Sequence, residues 1–145
     1  MSFKPELSDN ECLNKKWKSG KYNELKKLRE KLLKKFGGEE VVPVRETQLD
    51  KLLNKGNLIK LDSRIFIRGR SSQCHQNSCL LYQQNDCITH IGTGWALSED
   101  GLWRQHSWAI KNNNILVETT EDREKYYGIL FNGEEAELFI KNVKF

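Results

Sequence analysis

Three residues in this 145-residue chain supply a nucleophile, a base and an acid: Cys74, His106 and Glu118. Cys74 lies in Arg68-Gly69-Arg70-Ser71-Ser72-Gln73-Cys74-His75, where the spacing predicts the first turn of a helix. Unpaired N–H groups and the positive dipole end favour thiolate over thiol at such a position. Arg68 and Arg70 strengthen that field if they point inward, and both are candidates for binding substrate. His106 lies in Trp103-Arg104-Gln105-His106-Ser107-Trp108, a strand pattern, so residues two apart share its face. The strand after it, Ile115-Leu116-Val117-Glu118-Thr119-Thr120, carries an acid among apolar residues, which is costly without a partner. A three-residue turn at Asn112 to Asn114 sets Trp108 opposite Glu118, with His106 diagonal to it on the same face. A thiol, an imidazole and a carboxylate in that order can serve as nucleophile, base and orienter.

The elements that must position these groups read as follows. Ser8 and Glu11 have the spacing of a capping box for a helix ending near Gly20. Tyr22, Leu25, Leu28, Leu32 and Phe36 form the apolar stripe of a second helix, stopped by Gly37-Gly38. Val41 to Val44 is extended, and Thr47 to Lys55 is a short helix ended by Gly56. Leu58 to Leu61 and Arg64 to Ile67 read as a hairpin around Asp62-Ser63. Ser71 and Ser72 are expected caps for a helix from about Gln73 to Gln84. Ile88 to Leu97, Leu102 to Lys111 and Ile115 to Thr119 form an antiparallel meander. Thr120 is expected to cap one helical turn, Ile129 to Phe131 to add an edge strand, and Glu134 to Lys141 to close the chain as a helix. The expected fold is α+β, an antiparallel sheet packed against the helix that carries the candidate nucleophile. It is read as one domain over 1–145, with 1–56 a mainly helical basic extension and 57–145 the α+β core.

The order and setting of these residues resemble the papain-like and transglutaminase-like cysteine enzymes over about residues 68–131. His106-Ser107-Trp108 resembles the His-x-Trp strand of those families, Val117-Glu118-Thr119-Thr120 the strand of the third member, and Tyr126-Tyr127-Gly128 an aromatic-Gly stretch that often follows. Glu118 stands where transglutaminase-like enzymes more often have Asp and papain-like ones Asn, and Arg68 stands where papain-like enzymes have a Gln. The resemblance implies attack by Cys74 on an acyl carbon, giving a thioester resolved by water or an amine. Amide, isopeptide and glutamine side-chain carbonyls of a peptide or protein all suit that chemistry, which needs no cofactor. The backbone N–H of Cys74 with the side chain of Gln73 or Gln76 are the oxyanion candidates. Trp95, Trp103 and Trp108 are candidates for lining a cleft, with core packing the expected role of at least two.

Composition supports a folded chain. The apolar fraction is 37%, with six Phe, four Trp and four Tyr. No apolar run has the length of a membrane span, and the N-terminus lacks a signal-peptide stretch, so a cytoplasmic protein without membrane contact is expected. Cys12, Cys79 and Cys87 are expected to be small buried apolar residues. Net charge is +4, and residues 1–36 hold eleven Lys and Arg against five Asp and Glu. Solvated helix faces account for that excess, and nucleic acid is a less favoured partner. One alternative is a zinc-binding, nucleic-acid-binding module built on Cys74, His75, Cys79, Cys87 and His90, although that spacing lacks the close ligand pairs of common zinc sites. Another is a non-catalytic partner-binding protein on the same scaffold.

Overall fold

A computed structural model describes residues 9–61 and 63–143. The first helix, α1 (Asp9–Lys18), buries Leu13 and Trp17, one turn apart, and the Trp17 indole donates to the Val41 carbonyl at 2.9 Å. Ser8, the expected cap, lies outside the described residues. A 3-10 turn (Asn23–Leu25) leads into α2 (Lys26–Phe36), whose Leu28 and Leu32 are buried at four-residue spacing while Lys26, Lys27, Lys34 and Lys35 are exposed. Then come β1 (Glu40–Val41), α3 (Leu49–Lys55), β2 (Asn57–Leu58) and β3 (Ser63–Phe66). The second half holds α4 (Cys74–Gln84), β4 (Ile88–Leu97), β5 (Leu102–Lys111), β6 (Ile115–Glu118), β7 (Lys125–Phe131) and α5 (Gly133–Asn142). The class is α+β, with a mostly antiparallel sheet.

Among the described residues the sheet has seven strands in the order β2-β7-β4-β5-β6-β3, and β1 joins β5 in parallel. The β4-β5-β6 meander forms as the turn signals require, with Ala109 opposite Val117 and Ile110 opposite Leu116. Two expectations are corrected. The segments around Asp62-Ser63 form no hairpin, because β2 pairs antiparallel with β7 and β3 pairs parallel with β6. The strand expected at 129–131 begins earlier, at Lys125: β2 pairs with it at Tyr127 and Gly128, while among the described residues 129–131 pair with β4 alone.

The N-terminal helices share the main core. Trp17, Leu28, Leu32 and Leu52 pack in one cluster with Trp95, Trp103 and Tyr127 of the sheet and Phe139 and Ile140 of α5. Arg29 of α2 holds Glu40 of β1 through paired bonds of 2.8 Å. Residues 1–56 are therefore not an appended segment in their described part; they fill the sheet's inner face and supply a strand.

One feature of the sheet positions the chemistry. On the edge of β5 facing away from β4, β1 pairs at Leu102 and Trp103, and β6 pairs at Ala109 to Lys111. Between them, residues 104–108 have no strand partner on that edge among the described residues. The start of α4 packs into this split.

Candidate active site

The segment leading into α4 is tied down on both sides. Gly69 N–H donates to the Thr119 carbonyl at 2.8 Å. The Arg70 amide donates to Asn77 Oδ1 at 3.0 Å, and Asn77 Nδ2 donates back to the Arg70 carbonyl at 2.8 Å. A Cβ at residue 69 would sit 2.4 Å from Asn77 Cγ, so this close approach requires glycine. Neither expected serine caps the helix: Gln73 is the N-cap, its side chain makes no capping bond, and Ser72 adopts φ +59° in the turn before it. Cys74 is the first residue of α4, where the chain's N–H groups have no helical acceptors.

The Cys74 thiol reaches into the split in β5. There the His106 imidazole and the backbone N–H of Ser107 lie close enough to favour its thiolate form. Burial raises the thiol's pKa, but the bond to His106, its positive charge and the Ser107 amide outweigh burial, so the net shift is downward. His106, 1% exposed, donates through Nε2 to Glu118 Oε1 at 2.8 Å and Oε2 at 3.1 Å. That leaves Nδ1 for the thiol. Burial alone lowers the imidazole's pKa, yet the bonds to Cys74 and Glu118 and their charges carry it above the ordinary value. The pair is thus biased toward thiolate and imidazolium.

Glu118 is completely buried and surrounded by donors. Tyr126 OH donates to Oε1 at 2.6 Å; Thr119 N–H and Thr120 N–H donate to Oε2 at 3.0 Å, and Thr120 Oγ at 3.2 Å. Burial raises its pKa, but the His106 bond and charge dominate with the bonds from Tyr126 and Thr120, holding the carboxyl at about 2. Burial and the Glu118 charge push the Tyr126 phenol upward, which keeps it a donor. Thr120 caps no helix; residues 119–124 are a non-helical bend, and both its N–H and hydroxyl serve Glu118.

Several sequence-predicted residues fall elsewhere. Trp95, Trp103 and Trp108 are each 0% exposed, so none lines a cleft; Trp95 and Trp103 lie in the main core and Trp108 in a second cluster with Ala96, Ile110, Leu116 and Tyr126. Arg68 is exposed, its guanidinium 5.3 Å from the Phe66 ring centroid, and the Arg70 side chain is exposed as well. Gln73 and Gln76 are half-buried on either side of Cys74 and His75. Cys79 is buried as expected, and burial pushes its thiol up to about 12, whereas Cys12 and Cys87 are exposed. Among the described residues, no group of three or more His, Cys, Asp or Glu is placed to hold a metal ion. The cage of the zinc alternative is therefore not assembled.

A second polar chain, not anticipated from sequence, adjoins the first. His75 Nδ1 hydrogen-bonds Ser107 Oγ, which also bonds Thr93 Oγ1 at 3.0 Å. Only the alternation of Ser107 between His106 and Trp108 hinted at it, placing Ser107 on the opposite face. Among the described residues, no helix is long and apolar enough to cross a membrane. No family model matches the chain, and neither a curated protein nor a solved structure matches it.

Proposed function

We propose that this protein is a cysteine-dependent acyl-transfer enzyme of the papain-like or transglutaminase-like kind, with Cys74 as nucleophile, His106 as acid and base, and Glu118 as orienter. One observation carries the reading: the Cys74 thiol interacts with the His106 imidazole, which is itself hydrogen-bonded to a carboxylate with no solvent exposure. A buried ion chain of this kind is expensive as mere architecture, and its shifts favour the reactive protonation states.

In the proposed reaction the Cys74 thiolate attacks an amide or isopeptide carbonyl. The S–C bond forms, His106 gives its proton to the departing amine, and the C–N bond breaks. Water or a second amine then adds to the thioester, His106 takes its proton, and the thiolate leaves. Glu118 fixes the imidazole so that Nδ1 faces sulfur and stabilises its cationic form. The N–H of Cys74, at the start of α4, is the nearest backbone candidate for the oxyanion, with the uncommitted capping position of Gln73 beside it.

The test uses an activated ester, p-nitrophenyl acetate, under single-turnover conditions with mass mapping. A burst of p-nitrophenolate matched by acetyl on Cys74 is expected, absent in Cys74→Ala and strongly reduced in His106→Ala. Acetylation confined to the exposed Cys12 and Cys87 would overturn the proposal.

A further inference from the structure

A cleft of about 250 Å³ opens beside the site, lined in part by Glu46, His75, Gln76, Gln105 and, from α5, Phe139 and Val143. His75 follows Cys74 directly, and Gln105 shares with Ser107 the face of β5 opposite His106. Contacts link the cleft to the site. Ser107, whose amide favours the Cys74 thiolate, bonds His75 through its Oγ, and the Gln105 side chain lies close enough to His75 to favour its protonated form. Gln105 Nε2 donates to Glu46 Oε1 at 3.1 Å and to the Arg45 carbonyl at 2.9 Å.

Glu46 is the acidic group of this cleft, and Arg45 also lines it. Trp95 Nε1 donates to Oε1 at 3.0 Å and the Gln48 N–H to Oε2 at 2.8 Å. All its donors are neutral, and among the described residues none of the ion pairs involves it. The carboxylate is thus pinned in place without a counter-charge; burial raises its pKa, and the bonds from Gln48, Gln105 and Trp95 offset only part of that, so a cation entering the cleft would relieve the cost. His75 does not supply a counter-charge, since burial and the charge of His106 depress its pKa despite the Gln105 bond. Arg45 lines the cleft as an exposed residue, and its carbonyl, rather than its guanidinium, is tied to Gln105. Phe139 and Val143 give the cleft an apolar wall, with Phe139 edge-on to His75 at 6.4 Å. An anchored carboxylate beside an apolar wall fits a long side chain with a methylene stem and a cationic head.

We propose that this cleft is a specificity subsite for a basic side chain adjoining the acyl carbon of a peptide substrate, with Glu46 as the residue that reads its charge. The inference rests on the acyl-transfer reading of Cys74. Glu46 acts on binding and takes no part in bond making. Its three neutral donors keep it oriented toward the cleft in the free protein, so no rearrangement is needed on binding.

Peptidyl acyloxymethyl ketones that differ only in the side chain beside the warhead test this: lysine, norleucine, glutamine and glutamate. The readout is the second-order rate of Cys74 modification by mass mapping. Lysine is expected to exceed norleucine, its neutral match in length, by about tenfold or more, the size of a charge-assisted hydrogen bond. In Glu46→Gln the ratio should fall toward one, and because it is a ratio within one protein it is insensitive to partial loss of folded material. A native ratio near one, faster reaction with glutamine or glutamate, or a lysine preference that survives Glu46→Gln overturns the inference. Acetylation of Cys74 by p-nitrophenyl acetate with no reaction toward any ketone overturns it too and leaves the catalytic reading standing. Failure of both reagents at Cys74 removes the catalytic reading and the inference together.

Discussion

His106 Nε2 lies 2.8 Å from Glu118 Oε1, and the carboxylate it meets accepts from four further donors. Everything around Glu118 therefore donates. In Glu118→Gln the amide can turn only one oxygen toward that shell, and its NH2 must face N–H or O–H groups. Stability should fall by on the order of 2–4 kcal/mol, read as a lower urea midpoint, and acylation of Cys74 by about 10²–10⁴-fold. Tyr126→Phe removes one donor of five and should cost about 1 kcal/mol, with less than a tenfold loss of acylation. Acylation unaffected by Glu118→Gln in folded protein would exclude the orienting role.

The same carboxylate gives stability a sign with pH. Its folded pKa of about 2 lies below the ordinary 4.5, so its contribution is complete above 4.5 and is lost as pH falls toward 2. His106 has the opposite sense: raised in the folded state, it contributes below its ordinary 6.5 and its contribution is lost as pH rises through the folded pKa. The stability gap between the native protein and Glu118→Gln should narrow by about 3 kcal/mol between pH 7 and pH 2. Urea titrations across that range measure it. A gap that stays constant would mean that the carboxylate is not held in its charged form.

Thiol reactivity separates the four cysteines. Iodoacetamide rates at Cys74 should titrate below an ordinary thiol, whereas Cys79, buried with its thiol pushed up to about 12, should remain unlabelled in folded protein. Exposed Cys12 and Cys87 serve as internal references. His106→Gln removes the bond and charge that outweigh burial at Cys74, so its labelling at pH 7 should drop about tenfold or more relative to those references. Equal loss at Cys12 and Cys87 would instead report a general change in the sample.

What could be read from the sequence was local. Ten-residue strands separated by Glu99-Asp100-Gly101 and Asn112-Asn113-Asn114 fix the β4-β5-β6 register, and the register puts His106 and Glu118 on one face. The misread segments were those whose partners lie far along the chain. Two-residue β2 meets β7 about seventy residues on, and β3 meets β6 about fifty residues on; a neighbouring-strand rule joins them to each other instead. The donors around Glu118 follow from the bend after it, which period alone read as a helix cap. Glu46 gave no local signal at all, since Trp95 and Gln105 reach it from β4 and β5. The three tryptophans were misjudged in part because residue type does not tell a cleft wall from a core.

Trp108 links core packing to the imidazole. Its ring centroid is 6.2 Å from that of His106 and 5.1 Å from that of Tyr126, so it backs both members of the Glu118 shell that carry rings. It fits there because β4 and β7 offer glycines beneath it: a Cβ on Gly92 would lie 2.1 Å from Trp108 Nε1, and one on Gly128 would lie 2.8 Å from Cη2. Gly92→Ala must therefore displace the indole toward His106 and Tyr126, costing about 1–3 kcal/mol and slowing acylation of Cys74. The indole N–H is buried without a hydrogen-bond partner among the described residues, so Trp108→Phe loses no bond, only volume. In the Gly92→Ala background the smaller ring vacates the space the new methyl needs. The double variant should consequently be more stable than the sum of the two single changes implies, by about 1 kcal/mol or more in a double-mutant cycle. Strictly additive effects on the urea midpoint would mean that the methyl is accommodated by backbone movement of β4, and Trp108 would then lose its place as the support behind His106.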